Sequence, residues 1–171
     1  MAEPVYVFIE GATSGKFESD ITKAHKVVAG GIAVLSFANE VLAPKDVATG
    51  QASGRRQFKP LHFTKQADST SPLFWNAITK NEVLKKVEFK FFRITKSGQM
   101  ENYFSIVLEN ASMASMKMIQ ATEAEGGESA KTTAGAGLYA AREEISLTFE
   151  KITWEHVIAK KMAADSWAER V

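Results

Sequence analysis

The sequence predicts a mainly β fold with one short helix and one overlong loop. Three observations carry this. Runs rich in Val, Ile, Phe and Thr recur at strand length along the 171-residue chain, and such side chains fit a pleated, half-buried surface. A single stretch near 72–80 has helical spacing. Residues 43–59 have turn composition and no apolar period, and a connection that long is often functional when ordered.

In chain order, Val5-Tyr6-Val7-Phe8-Ile9 is the first strand, stopped by Gly11. Ile32 to Phe37 is the next, entered through Gly30-Gly31. The loop at 43–59 carries Pro44, Gly50, Ser53 and Gly54. Leu61-His62-Phe63-Thr64 alternates apolar and polar, as a half-buried strand does. Ser71 is the expected N-cap, with Pro72 at the first helical position. Leu73, Phe74, Ala77 and Ile78 form the apolar stripe, and Asn81 is the left-handed terminator. A helix this short must pack on a sheet to persist.

Val87 to Phe91 alternates cleanly, and then Phe92 and Ile94 take the opposite phase. That slip predicts a bulge or a strand buried on both faces. Tyr103 to Leu108 pairs with it through the hairpin composition of Lys96-Ser97-Gly98-Gln99. Glu123 to Ala136 is small and polar and reads as a flexible surface insertion. In Glu144 to Trp154, Ile145, Leu147 and Phe149 share one face, and Ile152 and Trp154 the other. The phase change favours one continuous strand bent at a barrel corner over two strands broken near Glu150-Lys151. Ile158 to Ala168 has helical composition without strong caps. No repeat or linker divides the chain, so a single domain over 1–171 is expected.

Composition removes whole classes of function. Hydrophobic residues at 45% and charged residues at 24% are those of a globular chain. Zero cysteine excludes disulfides, Cys-based zinc sites, iron–sulfur clusters and thiol nucleophiles. A net charge of +1 gives no global pull toward nucleic acid or anionic membrane. The apolar stretch Val27 to Ala38 contains Gly30 and Gly31 and falls well short of the ~20 residues of a membrane span. The opening Met-Ala-Glu-Pro lacks the basic and apolar regions of a secretory signal. The chain is therefore expected to fold in the cytoplasm and, if exported, to leave by a dedicated machine with no cleaved signal peptide.

Enzyme chemistry is missing. His25, His62 and His156 are isolated, and no nucleophile elbow, phosphate loop or paired metal-ligand spacing occurs. His62 reads as an outward strand residue. No catalysis, cofactor or metal is expected. Charge distribution says more: from Lys45 to Lys65, Lys45, Arg55, Arg56, Lys59 and Lys65 stand against Asp46 alone. That stretch reads as a docking surface for an acidic partner or nucleic acid, or else as a solvated loop, and its length favours docking. With Glu123, Glu125 and Glu128 as an acidic counterpart, packing against copies of the same chain is one hypothesis.

Several ordered matches resemble one family. They are Gly54-Arg55-Arg56, Pro60 to Lys65, Asp68, Ser71-Pro72, and Val87 to Arg93. Tyr103, Ile106, Leu108, Asn110-Ala111, Glu144, Ser146 to Phe149 and Lys151 to Trp154 continue the series. Glu18-Ser19, His25-Lys26, Val34 to Phe37 and Asp165-Ser166-Trp167 complete it. On these residues the chain resembles Hcp, the tube subunit of the type VI secretion system, which is similar to phage tail tube proteins. Two departures stand out. Phe17 replaces the family's usual Gly, and Ala38-Asn39 replaces an aromatic–Gly pair.

The resemblance implies a compact β-barrel of two antiparallel sheets flanked by one helix. It implies homohexameric rings stacked into a hollow tube inside a contractile sheath, with a spike protein at the tip and small effectors in the lumen. It places the family's extended loop at 43–59, which makes Pro44, Lys45, Asp46, Arg55, Arg56 and Lys59 candidate contacts between copies. Nucleic acid and stable membrane insertion are not expected. The competing reading is a β-barrel or jelly-roll module for a sugar or small ligand, whose mark would be exposed aromatics converging on one face.

Overall fold

The structure, a computed structural model, describes residues 3–120 and 141–167. Its elements in chain order are β1 (Val5–Gly11), β2 (Gly15–Phe17), β3 (Ile32–Ala38), β4 (Val41–Leu42), β5 (Gln57–Phe58) and β6 (Leu61–Gln66). There follow α1 (Ser71–Thr79), β7 (Leu84–Ile94), β8 (Met100–Ile119), β9 (Arg142–Thr148), β10 (Lys151–His156) and β11 (Lys161–Ser166). The expected insertion at 123–136 lies outside the described residues.

Six strands close a barrel in the order β1-β3-β6-β9-β8-β7, with every neighbour antiparallel. The two expected sheets are its opposite walls, and β8 joins them. Its residues up to Ala111 pair with β7, and Ser112 to Ile119 pair with β9. β10 and β11 extend the wall outward from the first half of β8. The phase slip at Phe92 is a bulge, where the β7–β8 register shifts between Phe91 and Phe92. Inside, Val7, Phe63, Phe89, Leu108, Ile145 and Ile152 are buried in one core. Phe63 and Phe89 stack edge to face at 5.4 Å, a geometry that adds to burial.

Two expectations about strands fail. Glu144 to Trp154 is two strands: β9 ends at Thr148, and β10 starts at Lys151. The corner belongs to β8, where Asn110 adopts φ 50°. Opposite it, the Asn110 side-chain amide donates to Glu150 Oε2 at 2.8 Å, and the Glu150 amide donates to the Glu109 carbonyl at 3.2 Å. Thr148 faces Ser112 and Lys151 faces Glu109, so β9 and β10 follow β8 in one register, and the kink at Asn110 interrupts the ladder only at Phe149 and Glu150. The tail is strand β11, not a helix. Its Ala and Met side chains favour helix in isolation, but β10 offers an open edge and Lys160 at φ 53° makes the reversal.

Helix α1 forms as expected but is capped differently. Thr70 is the N-cap, no side chain caps it, and Pro72 lies in its first turn. The Ser71 hydroxyl instead donates to Glu143 Oε2 at 2.9 Å. Phe74 and Ala77 are buried, and Asn81 at φ 52° ends the helix. Phe17, the departure from the family pattern, meets Phe74 edge to face at 5.1 Å.

Candidate functional site

The stretch expected as a loop is an arm. Its base is a two-stranded ladder, Val41 opposite Phe58 and Leu42 opposite Gln57. Farther out, Lys45 bridges Ala52, and the Ser53 amide donates to the Pro44 carbonyl at 3.0 Å. The tip turns over 46–51, where the Asp46 amide donates to the Gln51 carbonyl and Gly50, at φ 70°, donates back to Asp46. Asp46 also accepts from the Ala48 amide and the Thr49 hydroxyl, both at 3.0 Å. Those bonds hold its carboxyl below the usual range, the Ala48 amide most strongly. Val47 at the tip is completely exposed.

The arm is fastened at its root. Phe58 is buried and lies 5.4 Å from both Phe149 and Trp167. Arg56 stacks over Phe58 at 5.7 Å. Its guanidinium donates in a fork to Asp165, with Nη2 2.6 Å from Oδ1, and also to the Ser166 carbonyl at 2.7 Å. Lys59 pairs with Glu40 across the root at 3.3 Å.

The expected contact residues therefore divide. Arg56 and Lys59 brace the root within the chain, Pro44 and Asp46 shape the tip, and Lys45 and Arg55 are exposed with no ion pair to another described residue. Lys65, counted in the same basic stretch, is a correction: it is wholly buried. Its ammonium lies 2.6 Å from Glu143 Oε2 and 3.0 Å from Asp68 Oδ1. Burial pushes the Asp68 carboxyl up, but the Thr70 and Ser19 hydroxyls and Lys65 hold it below the ordinary value. Val47, Asp165 and Glu143 were not among the expected residues. A lone aliphatic at the centre of a polar loop was the signal for Val47; Asp165 and Glu143 left none, because they lie far along the chain from Arg56 and Lys65.

Register fixes where the arm points. Val5 pairs with Val34 and Val7 with Ile32, so β3 runs past the start of β1 before the arm leaves it. Helix α1 joins the end of β6 to the start of β7, and Leu84 sits opposite Gly11. The arm thus leaves one end of the barrel and α1 closes the other. Aromatics converge in the core: Phe37, Phe63, Phe74, Phe89 and Phe91 form a chain of ring contacts. Among the described residues no group of three metal-ligating side chains occurs, and no helix is long and apolar enough to cross a membrane.

Residues 7–156 match the family model described as "Type VI secretion system effector, Hcp". The "Major exported protein" of Pseudomonas aeruginosa is 32% identical over 181 residues, covering 100% of this chain and 99% of that protein. A crystal structure of an Hcp protein superposes with a TM-score of 0.81 at 29% identity, over 97% of this chain and 100% of the other. A mutant form of Hcp1 from Escherichia coli EAEC 042 gives 0.80 at 27% identity, over 97% and 99%. A family match over most of the barrel and a relative spanning the whole chain agree with the residue pattern read above, and the chain belongs to the Hcp family of type VI secretion system proteins.

Proposed function

We propose that the chain is the structural subunit of a type VI secretion tube. Six copies close into a ring, and rings stack into a hollow tube that a contractile sheath drives outward, with a spike protein at its tip and small effectors in its lumen. One barrel over 1–171 is the repeating unit. Its role is mechanical, and no residue catalyses a reaction. The tube assembles in the cytoplasm and is then exported, in keeping with the name of the Pseudomonas relative.

The observation that carries this reading is the arm, an excursion fastened at its root and ending in a fully exposed valine. An apolar tip on a braced arm is poorly suited to a solitary barrel. It suits one that contacts copies of itself through Pro44, Lys45, Asp46 and Arg55. Arg56 and Lys59 support the contact by stiffening the root. The outer side of β11 supplies a second surface, since β11 pairs only with β10 among the described strands. An open edge is a liability in a monomer and a contact in a ring.

Light scattering and electron microscopy test this. The purified chain should have about six times the monomer mass and give annular particles; a monodisperse monomer overturns the reading. Lys45→Glu with Arg55→Glu leaves the Arg56–Asp165 fork intact, so it should abolish stacking or secretion while the urea midpoint stays at the wild-type value. Normal stacking by that variant would remove the arm from the interface.

A further inference from the structure

Two parts of this fold have little of their own to stand on. From Val41 to Gln57 the arm buries no side chain, and only Pro44 and Arg56 are half-buried. β11 is as bare: Lys161, Met162, Ala163 and Ala164 are exposed, and Asp165 and Ser166 are half-buried. Among the described strands it pairs only with β10. Strands persist by burying an apolar face, so the ladder to β10 leaves β11 marginal. Each part finds its anchor on the other. Phe58 at the arm root meets Trp167, the residue after β11, at 5.4 Å. The Arg56 guanidinium, stacked on Phe58, donates to Asp165 and to the Ser166 carbonyl. Asp165 Oδ1 also accepts from the Ser166 amide at 2.9 Å, which holds the carboxylate in place for Arg56. The Trp167 amide donates to the Glu150 carbonyl at 3.0 Å and so seats the end of β11 on the barrel.

We infer that β11 is a strap across the arm root, and that strap and arm order one another as one unit above a more stable barrel. A charge-assisted fork and a ring contact join two segments that have few other side-chain contacts. Freeing either one strips the other of those holds. The arm has two further holds outside the strap: Phe149 lies 5.4 Å from Phe58, and the Lys59–Glu40 pair is exposed and therefore weak. Coupling of this kind is reciprocal. A strand pairing with the outer side of β11 would stiffen the arm without touching it. The device lies within one chain and stands whether or not copies form a tube.

Hydrogen exchange tests the coupling from both directions. Of two consecutive strand residues, one donates across the ladder. Ala163→Pro with Ala164→Pro therefore breaks β11 opposite Trp154 and Thr153, short of Asp165. The amides of Asp46, Gly50 and Ser53, which are bonded within the arm, should then exchange at least about tenfold faster. Arg56→Gln is the converse, and β11 amides should exchange faster in it. β7 and β8 should keep their protection in both variants. Thr153→Cys with Ala164→Cys puts thiols at directly opposite positions, within disulfide reach, in a chain with no other cysteine. The oxidised staple should slow arm exchange relative to its reduced form.

Arm exchange indifferent to both the prolines and the staple would mean that Phe149 and Lys59 hold the arm alone, which overturns the strap. So does β11 exchange unchanged by Arg56→Gln. Loss of protection in β7 and β8 along with the arm would show that no separate unit exists, and overturns it too. Sedimentation of each variant separates the strap from assembly. Faster arm exchange at unchanged mass supports it. Faster exchange only where the mass falls assigns the protection to contacts between copies and overturns it.

Discussion

Among single residues, Lys65 is where the structure departs furthest from a surface reading. Alternation along β6 turns Leu61, Phe63 and Lys65 inward together, so a lysine enters the core. It is tolerated because Glu143, Asp68, the Ser71 hydroxyl and the Gln66 carbonyl surround its ammonium at 2.6 to 3.1 Å. Buried charge is expensive unless paired, and removing one partner exposes the other to the full cost. Lys65→Met strands two carboxylates and should destabilise the fold by about 3–5 kcal/mol. Lys65→Met with Glu143→Leu leaves no charge opposite β9 and should recover part of that loss. Urea unfolding of the three chains decides: a single variant within about 1 kcal/mol of wild type would show that the pair is not held against its desolvation, given that ~3 kcal/mol is the lower bound expected.

At the scale of elements, α1 is held by carboxylates at both ends. Before it, Asp68 accepts from the Ser19 hydroxyl at 2.7 Å and binds Lys65, tying the helix entrance to the loop after β2. After it, Glu82 reaches over Gly11 to accept from the Thr13 and Ser14 amides and the Ser14 hydroxyl, at 2.7 to 2.8 Å. A Cβ on Gly11 would lie 2.5 Å from Glu82 Oε1, so only glycine admits that reach. Burial pushes both carboxyls up, but their hydrogen bonds win, and both titrate below their ordinary values of 3.8 and 4.5. A lowered folded value means the stabilisation is complete above the ordinary value and disappears as pH falls through the folded one. Acidification below about pH 4 should therefore free α1 first. Hydrogen exchange checks this: α1 amides should lose protection as pH falls below both ordinary values while β7 and β8 keep theirs, and simultaneous loss would contradict it. The strands that face this helix were legible because a half-buried wall enforces alternation, as in Leu61 to Thr64. β11 was not, since its strand state comes from the edge of β10 and its composition points the other way. The arm was legible as length and charge. Its hairpin was hidden by Pro44 and Gly50, and its brace by the 109 positions that separate Arg56 from Asp165.

For the whole molecule, the balance of 21 basic against 20 acidic residues matters less than where the unpaired charges sit. The arm carries the exposed cations Lys45 and Arg55 at one end of the barrel. Near neutrality would limit repulsion as copies accumulate in the proposed tube. Contacts around the proposed ring would be of another kind, through sheet edges, where backbone hydrogen bonds and apolar burial are nearly blind to salt. Exposed ion pairs are screened once the Debye length falls from about 10 Å at 0.1 M to about 3 Å at 1 M. Raising sodium chloride over that range should shorten stacks into single rings and leave the rings whole. Sedimentation velocity separates the species: long assemblies should give way to one ring-sized boundary, reversibly on dialysis. Stacks indifferent to salt would mean that the Val47 contact, or one not involving the arm, holds them. Direct collapse to monomers would mean that ring and stack rest on the same charges.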